Sequence, residues 1–317
     1  MNTVMLGLKK WWIPGVLLVI LILLAGLPRF ASLYSVVLVT SILMYVILTQ
    51  SWVLFSGPTG YISLATAAFF GVGIYTAAIL GWTLPLPVVI IVGAFVSSCL
   101  ALVVGALTLR LRGVYFIIFT LGLVELIKNV VLWHAIKFTG ARGRFVVLED
   151  NNTIYYLMLA ILAALLITTY LIRRSKYGLA LQSIGEDEEA AAHAGVNVTM
   201  LKVITFAISA SFMGAVGAAI ATRWTYIDPY IAFKSLYSFM PVLMAIFGGM
   251  GHFYGPILGA AVFAYLEEVL ITKFPYHYML LFGAILLITI LYLPDGLIGL
   301  VQKLRRASFG GRQHANT

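Results

Sequence analysis

The chain has 317 residues, 62% of them apolar and 10% charged, with 20 Lys and Arg against 11 Asp and Glu. An ordinary soluble domain is about 45–50% apolar and about 25% charged, and a soluble fold of this size could not hide so much apolar surface; the mean hydropathy of +1.05 agrees. A soluble enzyme, a disulfide-stapled module and a disordered regulator are therefore excluded. An all-α polytopic membrane protein is expected, with its basic excess held against lipid rather than nucleic acid.

At about 20 residues per span, there is room for roughly ten crossings. In chain order, apolar runs bounded by charge, Pro or Gly fall at 13–27, 33–55, 62–81, 86–109, 114–134, 154–172, 203–222, 236–249, 256–271 and 278–293. Runs 236–249 and 256–271 are short and read as spans or as half-helices of a re-entrant pair, so the expected count is eight to ten. The first run follows Lys9 and Lys10 without a small-x-small cleavage site and reads as an uncleaved span. Cys99 lies inside an apolar run and reads as packing. The whole of 1–317 reads as one membrane domain with no inserted soluble unit.

An even span count puts both termini on one side. Placing them in the cytoplasm puts 12 of the 20 basic residues there, including the clusters Arg110/Arg112, Arg173/Arg174/Lys176 and Lys303/Arg305/Arg306. Lys202 is counted in the same cytoplasmic set. Two hydrophilic interruptions remain, an external loop at 135–153 and a cytoplasmic loop at 173–202.

The second loop is the most informative stretch. Ser183-Ile184-Gly185-Glu186 has the form of a capping box. Glu186, Asp187, Glu188 and Glu189 fill the turn where a helix dipole favours negative charge, Ala190 and Ala191 are strong helix formers, and Gly195 is a natural stop. One helix over 184–194 is expected. It is either a solvated loop helix or a helix that docks on another subunit and passes force to the spans.

Glu125 and Lys128 share a face of the run 114–134, where an intramembrane charge is a functional candidate by default. Structural pairing and an ion-coupling role both remain open for them. Glu267 and Glu268 read as interfacial, near enough to Lys273 to pair. His134, His193, His252 and His277 show no metal-ligand spacing, so no metal or catalytic site is expected. Gly57 and Gly60, and Gly248, Gly249 and Gly251, would break helices near the membrane. They either expose backbone groups to a polar solute or permit close helix packing. The two glycine segments also echo one another, as inverted repeats do.

Glu189-Ala190-Ala191-x-x-x-Gly195 is similar to the loop signature of ABC-importer permeases. Further blocks extend the resemblance over roughly 36–300: Ser63-Leu64 with Ala67 to Gly73 and Tyr75; Leu109 to Tyr115; Tyr177 to Leu181; Gly195-Val196-Asn197; Phe206 to Ala210; Gly248 to Gly251; Gly255 to Ala260; and Pro294 to Leu297. Together they resemble LivM-type permeases of branched-chain amino acid ABC transporters. Ala65-Thr66 stands where that family commonly has Gly-His, and Gly185 where it often has Arg. The resemblance implies a bacterial inner-membrane permease subunit that carries no cofactor. Its implied partners are a second homologous permease, two cytoplasmic ATP-binding subunits and a periplasmic or extracellular substrate-binding protein. It makes Ser183, Glu186, Asp187, Glu188, Glu189, Ala190, Ala191 and Gly195 the ATPase-coupling helix. Translocation-path candidates are Ser63, Phe69, Phe70, Tyr75, Tyr115, Glu125, Gly57, Gly60, Gly248, Gly249 and Gly251. The chain has no G-x-x-x-x-G-K-[ST] phosphate loop of its own. The alternative reading is an ion-coupled secondary transporter of small polar or amphipathic solutes.

Overall fold

The computed structural model describes residues 20–251, 253–277, 280–285, 287 and 299. The expected uncleaved start at 13–19 and most of the run 278–293 lie outside the described residues; residues 280–285 are helical. The elements are α1 Ile20–Phe30, then α2 Leu33–Thr59, α3 Thr66–Leu80, α4 Leu86–Thr108, α5 Val114–Thr139, β1 Arg144–Phe145, α6 Asn151–Arg174, α7 Lys176–Glu186, α8 Glu188–His193, α9 Val198–Ala221, β2 Tyr226–Ile227, α10 Pro229–Ala232, α11 Leu236–Gly248 and α12 Gly255–Lys273. Among the described residues, seven helical stretches are long and apolar enough to cross a membrane, α10 and α11 counting as one stretch of 20 residues; α1 and α3 are shorter.

The helices form a bundle of mixed direction with two distinguishable ends. At one end lie α7 and α8, the last turns of α2, α4 and α6, and the first turn of α9. At the other, β1 and β2 pair antiparallel, with Arg144 opposite Ile227. There Tyr155 donates to the Leu24 carbonyl at 2.6 Å, Trp82 to the Phe145 carbonyl at 3.2 Å, and Arg223 to Ser41 Oγ at 3.2 Å. Local chemistry sets the helix starts: Ser32, Asp150, Asn197 and Asp228 each accept a backbone N–H as N-caps.

Helix α9 is the centre, packed against α4, α3, α2 and α6. It comes close enough to α3 that a methyl at Gly73 would strike the Gly214 carbonyl, and Gly214 in turn faces Gly93 and Ser97 of α4. Small residues let three backbones meet where lipid gives no hydrophobic drive between helices.

The re-entrant alternative for 236–271 is corrected. One cavity brings Met250 and Gly251, between α11 and α12, to the ends of α2 and α6. Another brings Tyr237, Glu267, Glu268 and Ile271 to Arg223 at the opposite end. The pair therefore connects the two ends rather than returning to one side, with the 13 residues of α11 covering about 20 Å and the 19 of α12 about 28 Å. The apolar run 62–81 is also not one helix, because residues 60–65 are unwound and α3 begins at Thr66.

Candidate functional site

Two loops, helix α8 and the start of α9 meet at the α7–α8 end around Lys202. Asn197 caps α9 by accepting from the Met200 N–H at 3.1 Å. That fixes Lys202 one turn into the helix, where it is 2% exposed. Its ammonium donates to Glu188 Oε1 at 2.8 Å, to the Tyr61 hydroxyl oxygen at 3.0 Å and to the Leu109 carbonyl at 3.0 Å. All three donors of the ammonium are thus used. Tyr61 donates to Glu188 Oε2 at 2.6 Å, and Arg112 closes the outside with Glu188 at 3.7 Å and Glu189 at 3.5 Å.

The joint ties the unwound segment after α2, the α4–α5 turn and helix α8 to the central helix. Burial opposes ionisation of Glu188, but hydrogen bonds from Lys202 and Tyr61 and the charges of Lys202 and Arg112 outweigh it, so its pKa lies below the ordinary carboxylate value. Burial first, then the Glu188 hydrogen bond and charge, push the Tyr61 phenol above its ordinary value. Glu188 raises the Arg112 pKa. At neutral pH the joint holds Glu188 ionised, with Tyr61 and Arg112 keeping their protons.

The single helix expected over 184–194 is two helices. α7 ends at Glu186 and α8 starts at Glu188. Asp187, extended at φ −154°, caps α8 by accepting from the Glu189 and Ala190 N–H groups at 2.9 and 3.0 Å. The capping box is therefore corrected: Ser183 lies inside α7, and its hydroxyl donates back to the Ala180 carbonyl at 2.9 Å. A carboxylate two residues before the alanines reaches their N–H groups, whereas a serine already in helical geometry cannot. Ala191 packs inward at 3% exposure, Ala190 is exposed, and Gly195 ends α8 at φ +86°. Gly185 has no room for a side chain because a methyl there would strike the Pro58 carbonyl at the end of α2.

The path candidates separate. Gly57, Gly60 and Gly251 line one cavity of about 360 Å³ between α2, α6 and α7, with Arg173, Gln182 and Glu186 on its walls. The two glycine segments that echo one another in sequence thus face a common space. Gly60 ends α2 at φ +71° and Gly249 ends α11 at φ +95°; Gly248 packs against Gly255. Ser63 is buried at 4% in the unwound segment, but its backbone is not left open: Trp52 donates to the Ser63 carbonyl at 2.7 Å, Leu64 N–H donates to Thr120 and Ala67 N–H to Ser238, both at 3.0 Å. Phe69 and Phe70 are core residues against Phe206 and Tyr237. Tyr75 stacks on Phe233 and borders a smaller cavity, while Tyr115 points out of the bundle at 76% exposure.

Glu125 and Lys128 form an ion pair, with Lys128 also over the Tyr230 ring. Among the described residues Glu267 and Glu268 have no ion pair with Lys273, which corrects that expectation. Five or six residues put Lys273 on another side of α12. Glu268 instead accepts from Tyr34 at 3.4 Å and Glu267 takes a hydrogen bond from Tyr45. No three His, Cys, Asp or Glu side chains cluster as a metal would require, among the described residues. Sequence reading missed Lys202, Tyr61, Arg112, Trp52, Thr120 and Ser238. The available signal was a lone lysine just inside a capped apolar helix, opposite an acidic run.

Residues 34–290 match the family described as branched-chain amino acid transport system / permease component. The chain is 26% identical over 341 aligned residues to the high-affinity branched-chain amino acid transport system permease protein LivM of Salmonella typhimurium, covering 94% of this chain and 78% of that one. It is 26% identical over 305 residues to a probable branched-chain amino acid transport permease protein LivM of Methanocaldococcus jannaschii, covering 86% of each. LivH of Escherichia coli K12 is 27% identical over 137 residues, covering 43% of this chain and 44% of that one. No solved structure is significantly similar.

Proposed function

The chain belongs to the family of branched-chain amino acid transport system permease components, and from that premise we propose that it is the membrane permease subunit of an ATP-driven importer of branched-chain or related amino acids. The match over 34–290 carries this reading. The joint supports its coupling part: a helix seated by a buried lysine on the central span suits an element that receives force from another subunit. In this reading the α7–α8 end faces the cytoplasm and both termini lie there. Separate ATP-binding subunits dock on α7 and α8 through exposed Glu186 and Asp187, while Glu188 holds the element to the bundle. A second permease subunit completes the path beside α5, and a binding protein delivers substrate at the β1–β2 end. The chain performs no bond chemistry.

The test is purification from the native membrane in mild detergent with mass spectrometry of what accompanies the chain. ATP-binding subunits and a second permease are expected. Recovery of the chain alone under several mild conditions, with ion-driven uptake by that chain in vesicles, would replace this reading with the secondary transporter.

A further inference from the structure

At the β1–β2 end, a cavity of about 220 Å³ lies between α2, α9, α11 and α12. Drug-sized ligand sites span about 300–1,000 Å³, so this one suits a single small metabolite. Its walls carry both signs of charge. Arg223 stands in the turn after α9 and gives one hydrogen bond to Ser41. Across from it, Glu267 and Glu268 sit on the stripe Ala264, Glu267, Glu268, Ile271, whose spacing puts all four on one face of α12.

Among the described residues, neither carboxylate is within ion-pair distance of Arg223 or of any other cation; the ion pairs found there are those of Arg112, Lys128 and Lys202. Arg223 attracts Glu268 and Lys234 attracts Glu267 without direct contact, so the partly buried charges of the cavity keep hydrogen-bonding capacity that a bridging molecule can use. Tyr45 holds Glu267 in place. Leu38, Met44, Ile220 and Ala264 supply apolar wall between the charged groups.

A molecule that fits must be anionic at one point, cationic at another and aliphatic elsewhere. We infer that this cavity binds a free aliphatic α-amino acid, its carboxylate on Arg223, its ammonium on Glu267 and Glu268, and its side chain against Met44, Ile220 and Ala264. The inference rests on the import reading above and adds a substrate site within the permease itself, at the end where substrate is delivered. The charged groups recognise the part common to all amino acids, and the apolar wall selects the tail.

The test uses the importer isolated with its accompanying subunits in lipid nanodiscs, without nucleotide or binding protein, and radiolabelled L-leucine as probe. Saturable binding is expected. Arg223→Gln and Glu267→Gln should each weaken it by about tenfold or more, the loss of one charge-assisted hydrogen bond, and Arg223→Lys should keep part of the affinity. Two fragments separate the roles. Isoamylamine, which lacks the carboxylate, should be indifferent to Arg223→Gln and sensitive to Glu267→Gln; 4-methylpentanoate, which lacks the amine, should behave in reverse. Leucine binding that is not saturable, or that ignores both substitutions, overturns the site. If cells with the intact system still import leucine in that case, the site fails while the transport reading stands. An assembled system that imports no aliphatic amino acid fails at the transport reading instead.

Discussion

Lys202 is the residue on which the joint depends, because one buried ammonium serves Glu188, Tyr61 and the Leu109 carbonyl together. Removing one member of a buried pair leaves the other charge poorly solvated, typically at a cost of about 3–5 kcal/mol. Lys202→Met is therefore expected to cost about 3 kcal/mol, the lower end of that range, since Glu188 keeps contact with water and Arg112; thermal unfolding in detergent measures it. The pH dependence follows from Glu188. Its folded pKa lies below its unfolded value of 4.5, so the folded state holds fewer protons between the two. Its stabilisation is complete above 4.5 and is lost as pH falls through the lower folded value. The melting-temperature gap between the wild type and Glu188→Gln should stay constant from neutral pH down to about 4.5 and close between there and the lower folded value. The carboxylate end of this joint was legible in sequence as part of an acidic run. The cationic end was not, because Lys202 precedes the apolar run at 203 and reads as a loop charge. Its partners lie 14, 93 and 141 residues away, a convergence that no local pattern encodes.

At the scale of elements, the α7–α8 break assigns different work to neighbouring residues. Asp187 supplies the cap that Ser183 was expected to give. Asp187→Ala should destabilise by about 1 kcal/mol, the usual loss of a cap, whereas Ser183→Ala should change stability by less than about 0.5 kcal/mol because its hydroxyl only bonds back within a helix. Thermal unfolding of the two variants, measured side by side, separates the one-helix and two-helix descriptions. Hydrophobic run lengths marked most of the long helices, including both helices of the doubtful region 236–271. They failed at 60–65, where the chain stays apolar but unwinds. Apolar composition says that the segment is buried, and the side chains of Trp52, Thr120 and Ser238 from three other helices decide how its backbone groups are satisfied.

Among the described residues, the outward faces of α4 and α5 differ in how well they suit lipid. Along α4, Ile91, Val103 and Leu107 are exposed at 68%, 61% and 71%, an apolar surface fit for acyl chains. Along α5 the side opposite the core has exposed Ile118 and Ile136 toward its ends but carries Gly122, Glu125 and Asn129 near the middle of the helix, with the Glu125 side chain 49% exposed. A charge facing hydrocarbon at that depth costs at least about 2.5–3.5 kcal/mol, and the ion pair with Lys128 relieves only part of it. This face is therefore expected to meet water in the transport path beside the second permease. In a Cys99→Ser background, Gly122→Cys and Asn129→Cys should react with a membrane-impermeant cationic thiol reagent, while Ile91→Cys and Leu107→Cys should not. A methyl-sized group at 122 meets no neighbouring atom, so the first of these substitutions leaves the fold undisturbed. Equal protection of all four positions in the assembled transporter would place this face in lipid and remove Glu125 from the path.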